Sequence, residues 1–217
     1  IYNHLLKEKV VIPQKSKQRK GEAYEGAYVK APQKGRHKWI VSFDLNSLYP
    51  HLIMQYNISP ETILGTWQDD IGVDGLLNKE FDTSIWKEKN VTVTPNGSVY
   101  RKDKQGFLPK LMESMYDDRV KYKKLMLEEQ KKGRNADPNK LSQYYNYQQN
   151  LKIALNSAYG AMGNQWFRYY DERNAEAVSV AGQLSVQWAE NAVNKYLNTT
   201  LSAVNKDLNT TLSAVNK

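Results

Sequence analysis

Trp39-Ile40-Val41-Ser42-Phe43-Asp44-Leu45-Asn46-Ser47-Leu48-Tyr49-Pro50 is the stretch on which the fold turns. Its first five residues are aromatic and β-branched and predict a buried strand. That strand runs into Asp44. Pro50 suits the first turn of a helix, and helical apolar spacing continues from His51 to Tyr56 until Ser59-Pro60 stops it. Asp44 thus sits where a strand gives way to a loop and then a helix. A carboxylate there can hold a divalent cation, with the Leu45 carbonyl as a further oxygen ligand. An Asp at a strand end is also a common turn or helix cap.

Upstream, Lys15, Lys17, Arg19 and Lys20 form one basic cluster and Lys34, Arg36 and Lys38 another. A solvated linker is the plain reading; phosphate binding is the other. Between them Tyr24-Glu25-Gly26-Ala27 suggests a turn or a close backbone approach at Gly26. Downstream, Asn96-Gly97 between two β-rich runs predicts a hairpin over Val91–Tyr100. Pro109 to Lys132 reads as a helix with Leu111, Met115, Tyr122 and Leu125 on its apolar stripe. After a turn at Gly133 to Pro138, a second helix runs from about Lys140 to Ala161, so the two pack as an antiparallel hairpin. A third starts at Asp171, a plausible N-cap, and carries Val178, Ala181, Leu184, Trp188 and Val193 to Leu197.

Two further clusters bear on chemistry. Lys152, Asn156 and Tyr159 are spaced to share one helix face, followed by Gly160. A cation, an amide and a ring on one surface suit a phosphate, a polar edge and a stacked base or sugar. An amphipathic helix with a snorkelling lysine has the same pattern. Arg119 and Lys123 lie one turn apart on the preceding helix and default to a solvated face. If that face meets Lys152, three cations converge as a triphosphate needs. Tyr144, Tyr145 and Tyr147 fit packing within the helix hairpin or stacking on single-stranded nucleic acid.

The chain has 217 residues, a net charge of +8 and no cysteine. Thiolate zinc sites, disulfides and cysteine nucleophiles are therefore excluded. No apolar run suggests a membrane helix. The basic balance favours a polyanionic partner. Starting at Ile1, the chain reads as a piece of something longer. Leu197 to Lys206 recurs unchanged at Leu208 to Lys217, which reads as a duplication rather than a repeat fold.

Asp44-x-x-Ser47-Leu48-Tyr49-Pro50 resembles the first polymerase motif of family B DNA polymerases. Lys152-x-x-x-Asn156-Ser157-x-Tyr159-Gly160 resembles their nucleotide-binding fingers helix. Asn57-Ile58-Ser59-Pro60-Glu61-Thr62, Thr94-Pro95-Asn96-Gly97 and Gly163 to Asp171 are similar to the T-even type of tailed-phage replicative polymerases. Tyr24-Glu25-Gly26-Ala27 resembles the family's template-touching segment. The match runs from about Gly21 to Leu197 in the family's order.

The resemblance implies an α+β fold: a partial palm of mixed or antiparallel sheet with helices, plus an antiparallel two-helix fingers hairpin. The expected division is a basic linker at 1–20, palm at 21–108, fingers at 109–163, a palm helix at 164–197 and the duplicated tail at 198–217. The implied activity is transfer of a dNMP from a dNTP to a primer 3′-hydroxyl during phage DNA replication, in the cytoplasm of an infected bacterial host. A non-catalytic nucleic-acid-binding module is the alternative. Asp44 and the Leu45 carbonyl would bind Mg²⁺, two ions being the family's complement. Ser47, Leu48, Arg119, Lys123, Lys152 and Asn156 would hold the triphosphate, and Tyr49 would exclude a 2′-hydroxyl. Tyr159, Gly160, Tyr24 and Gly26 would touch the template or the nascent pair. Primer-template DNA, dNTP, a complementing polymerase fragment and a sliding clamp are the implied partners.

Two departures stand out. His51 occupies a position where many members carry Ser, and it reads as a helix-surface histidine. The family's Asp-Thr-Asp motif, which should supply the second metal-bridging carboxylate, does not occur. The chain alone is therefore expected to polymerise little or not at all.

Overall fold

The computed structural model describes residues 2–7, 9, 11, 14, 26–36, 42–67 and 71–215, with side chains to residue 200 except 4 and 198. Among these residues the fold is α+β, as expected, with seven α-helices and one three-stranded antiparallel sheet. The helices are α1 (Tyr2–Lys7), α2 (Leu48–Tyr56), α3 (Val73–Leu77), α4 (Ser84–Glu88), α5 (Phe107–Lys131), α6 (Pro138–Met162) and α7 (Glu172–Val215). The strands are β1 (Ile63–Thr66), β2 (Val91–Val93) and β3 (Ser98–Arg101), in the order β1-β3-β2.

The Asn96-Gly97 hairpin forms as read, pairing Val93 with Val99 and Val91 with Arg101. Its turn is closed by Gly97 N–H donating to the Thr94 carbonyl at 2.8 Å. Central strand β3 is buried, and the Tyr100 hydroxyl donates to Asn174 Oδ1 of α7 at 2.8 Å. Burial raises the Tyr100 phenol well above its ordinary value, so it stays neutral and available as a donor.

Asn57-Ile58-Ser59-Pro60-Glu61-Thr62 fastens the sheet to the helices. Asn57 ends α2 in the left-handed conformation, φ 59° and ψ 42°. Its N–H returns to Met54 O and that of Ile58 to Ile53 O, the paired bonds of a Schellman ending. Asn57 Nδ2 donates to the carbonyls of Arg101 (2.7 Å) and Lys104 (2.8 Å), while Oδ1 accepts from Gly106 N–H (2.8 Å). Glu61 then accepts the Phe107 N–H at 2.5 Å, placing a carboxylate at the positive end of α5. A Cβ on Gly106 would lie 2.6 Å from Ser59 Cβ, so only glycine allows this approach.

Asp137 caps α6, its side chain accepting from Asn139 and Lys140 N–H, with Pro138 behind it. Helices α5 and α6 then pack as the expected antiparallel hairpin. Tyr122 stacks on Tyr147 at 4.9 Å and meets Tyr144 at 6.4 Å. Tyr144 and Tyr147 therefore take part in hairpin packing. Leu108, Pro109 and Met112 are buried on α5, whereas Leu111, Met115, Tyr122 and Leu125 are half-buried.

Asp171 Oδ1 accepts the Arg173 N–H at 3.0 Å, capping α7 as anticipated. The first turns of α7 pass through the core. Ala175, Ala177, Ser179, Ala181 and Gly182 are small enough for α2, α6 and β3 to close around them. Leu155, Met162, Val178, Ile53 and Ile58 belong to the same core. Truncating Leu155 to Ala would cost about 2–5 kcal/mol.

Several expectations change. Among the described residues the strand through Phe43 does not form. Ser42 and Phe43 are irregular, no strand lies beside them to complete a ladder, and Phe43 is 71% exposed. Trp39–Val41 lie outside the described residues. Leu5, placed in a solvated linker by its basic surroundings, is buried in the core, while Tyr2 and Leu6 of the same helix stay exposed. Of the apolar residues read along α7, Val178 and Ala181 are buried but Trp188 is 65% exposed. α7 continues past Leu197 to Val215, since the repeated segment contains neither Gly nor Pro to stop it.

Candidate active site

Asp44 to Pro50 wrap one side of a polar cleft of about 340 Å³. Arg119 from α5 and Lys152 and Asn156 from α6 close the other. The helix hairpin brings these together because its root packs against α2. Two cations and one carboxylate therefore line the cleft. Lys123, one turn beyond Arg119, is exposed and does not line it. The expected three-cation cluster is thus a pair in this structure, because the turn from 119 to 123 carries Lys123 outward along α5.

Arg119 is unlike an ordinary surface arginine. It is only 9% exposed, its Nη1 donates to Ser47 Oγ at 3.2 Å, and its buried Nε has no acceptor. Among the described residues no carboxylate pairs with it. A buried, unpaired cation is costly to hold and calls for an anion.

The opposite wall is the start of α2. Ser47 precedes it in the left-handed conformation, with no capping side-chain bond, and no acid follows in the first turn. The positive end of the helix and its free N–H groups are left for a negatively charged ligand.

Tyr49 forms the cleft's aromatic floor. Its ring lies 4.6 Å from that of Tyr159, at 48°, and Tyr159 Oη shares a 2.6 Å hydrogen bond with Ser179 Oγ of α7. A Cβ on Gly182 would come within 2.9 Å of Tyr49 Cε1, so the missing side chain lets the ring settle against α7. Burial, and secondarily the neighbouring Tyr159, raises the Tyr49 phenol above its ordinary value.

Asp44 and Leu45 are exposed at the cleft mouth. Asp44 also borders an apolar groove of about 750 Å³ that runs along Phe43, Leu48, Val186, Val193 and Leu197. Among the described residues no three carboxylates or histidines gather to hold a metal by themselves. One carboxylate beside a carbonyl fits a single hard cation that takes its other oxygens from phosphate and water. The donors present do not make up a second site.

Gly160 is exposed on α6, and Tyr24 lies outside the described residues. Gly26 is exposed, with open space among the described residues where a Cβ would sit, while its backbone carbonyl accepts from Gln183 Nε2 at 2.6 Å. His51 is half-buried rather than a free surface residue. Its Nδ1 bonds the Ser47 carbonyl at 2.8 Å and its ring meets Tyr116 edge-on. The four-residue step from Ser47 was the available signal; Tyr116 was not foreseeable from spacing. Ser179 and Gly182, which seat the two tyrosines, carried no sequence signal beyond being small.

Comparison with known proteins matches this architecture. The family model for DNA polymerase family B covers residues 1–215. The chain is 34% identical to the DNA-directed DNA polymerase of Escherichia phage RB69 and 33% identical to that of Enterobacteria phage T4, over 91% of its own length in each case. It is 36% identical to DNA polymerase 1 of Pyrococcus abyssi over 75% of its length. It spans about a quarter of the two phage proteins, 26% of each. The family B DNA polymerase structure from the hyperthermophilic archaeon Pyrobaculum calidifontis superposes with a TM-score of 0.63, covering 89% of this chain and 23% of that one at 23% identity. With the family model matched along nearly its whole length, the chain belongs to DNA polymerase family B.

Proposed function

We propose that the chain is the nucleotide-gripping part of a replicative phage DNA polymerase, working in the cytoplasm of an infected bacterium. The observation that carries this reading is Arg119: a buried guanidinium without a carboxylate partner among the described residues, facing a cleft shared with Lys152, Asn156 and the uncapped start of α2. A triphosphate supplies the missing negative charge. The reaction would join a primer 3′-oxygen to the α-phosphorus of a dNTP and release pyrophosphate. Arg119 and Lys152 neutralise the phosphates, Asn156 donates to them, and the Ser47 and Leu48 amides orient them. Asp44 and the Leu45 carbonyl hold the divalent cation, magnesium in this reading, that offsets phosphate charge. Tyr49 lies under the sugar and leaves no room for a 2′-hydroxyl. Tyr159 and Gly160, with Tyr24 and Gly26, face the template side. Lys123 reaches the phosphates only if α5 moves toward the cleft.

Primer-template DNA is the second substrate, with a clamp and a complementing polymerase fragment as partners. By itself this chain offers one carboxylate to the cation, so it extends a primer little or not at all. That same shortage favours a second reading, a nucleic-acid-binding module without catalysis. Titration with dATP and Mg²⁺ separates them. Saturable binding that weakens about 10–100-fold in Arg119→Ala supports the nucleotide site. Equal affinity for dATP and dAMP, or no effect of Arg119→Ala, refutes it.

A further inference from the structure

We propose that His51 is a positioning residue for the phosphate-binding turn, coupling it through Ser47 to the face of α5 that carries Arg119. The proposal rests on the nucleotide-binding reading above.

Ser47 is a non-glycine residue at φ 54° and ψ 43°. L residues keep that conformation where their surroundings hold it. Two elements hold Ser47 from opposite ends. Its carbonyl accepts from the His51 backbone N–H at 3.2 Å and from the His51 ring at Nδ1 at 2.8 Å. A carbonyl oxygen only accepts, so Nδ1 carries the proton and the neutral ring is fixed in that tautomer. Its hydroxyl accepts from Arg119 Nη1 at 3.2 Å.

The circuit closes through α5. The His51 ring stands edge-on to Tyr116, with centroids 4.6 Å apart at 80°. Tyr116 and Arg119 are three residues apart on one helix face. His51 does not line the cleft. It acts by setting the Ser47 peptide, and with it the first free N–H groups of α2, in register with the guanidinium. A shift of α5 then carries cation and amides together, and the phosphate site keeps its shape.

Two substitutions separate this role from packing. His51→Phe keeps a ring against Tyr116 but removes the donor. His51→Asn removes the ring but places an amide N–H where Nδ1 was. Titration of the full chain with dATP and Mg²⁺ should show binding weakened about fivefold in His51→Phe and within about twofold of wild type in His51→Asn. The melting temperature should fall more in His51→Asn. The reverse affinity order means that the ring merely packs, and overturns the proposal. Nitrogen-15 NMR of the ligand-free chain adds a readout that needs no nucleotide: the neutral His51 ring should be the Nδ1–H tautomer, and an Nε2–H ring overturns the proposal by itself. Arg119→Ala marks the other failure. If wild type and Arg119→Ala bind dATP alike, or neither binds, the nucleotide reading falls and this role falls with it. If Arg119→Ala loses binding while His51→Phe does not, only the His51 role is lost.

Discussion

Around the hairpin and the Asn57–Thr62 segment, most buried polar groups find partners, with the neutral Asn174 Nδ2 and Trp86 Nε1 as exceptions. Asn57 makes three side-chain hydrogen bonds, Thr62 Oγ1 donates to the Asn57 carbonyl, and Tyr100 meets Asn174. Some residues away, the cleft gathers Arg119, Lys152 and Asp44 without pairing them, and buries one nitrogen of Arg119 with no acceptor. Both regions remove polar atoms from water, but the nitrogens left unpaired in the first are neutral, whereas the one in the cleft belongs to a cation and costs more. The difference teaches where to look for function: the cleft buries a charge that a ligand can answer, whereas the hairpin region leaves only neutral nitrogens unpaired.

Substitutions should therefore act in opposite directions in the two regions. The largest effect is expected at Asn57. Asn57→Ala strands two carbonyls and an amide and loses a left-handed helix ending, lowering stability by about 2–4 kcal/mol in denaturant titration. A loss well under 1 kcal/mol would show that water replaces Asn57 freely. Next, Arg119→Met exchanges an unpaired buried cation for an apolar chain of similar length. It should raise the unfolding free energy by about 1 kcal/mol while weakening triphosphate binding about 10–100-fold. A destabilised variant would mean that Arg119 is structurally paired after all, and would break the comparison. Tyr100→Phe leaves Asn174 Oδ1 without its donor and should cost about 1 kcal/mol, with dATP affinity unchanged.

The smallest effect concerns Glu129, at the turn joining α5 and α6. Its carboxylate accepts from Asp137 N–H at 2.8 Å and from Lys132 Nζ at 2.7 Å. The Asp137 amide first, and Lys132 next, hold its carboxyl below the usual 4.5. A lowered folded-state value means that the stabilisation is full above the unfolded value. It is then lost as pH falls through the folded one. Glu129→Gln should lower the melting temperature at neutral pH and flatten its decline below about pH 4.5. An unchanged acid limb would remove Glu129 from the satisfied class.

Much of the fold was legible because its signals are local. Asp137-Pro138 and Asp171 cap helices where their side chains reach the next N–H groups. Asn96-Gly97 closes its hairpin within four residues. At Ser42 and Phe43, the described end of the expected strand, the opposite holds: β propensity needs a neighbouring strand, and among the described residues none lies beside Phe43. Within the site, Lys152 and Asn156 stood out by spacing, Asp44 by its place between an expected strand and a helix, and Ser47 and Tyr49 through the family resemblance. His51 did not, since half of its environment comes from Tyr116 on another helix.

The sequence by itself determined the helices α2, α5 and α6, the start of α7, and which residue types stand on the Lys152 face, because capping and periodicity act over a few residues. Tertiary structure alone decided that Arg119 and not Lys123 enters the cleft, that Leu5 is core, and that Trp188 stays exposed. Those outcomes depend on how α5, α6 and α7 pack around α2. Helix packing is set by the fit of whole surfaces, not by the spacing of neighbours along one chain segment.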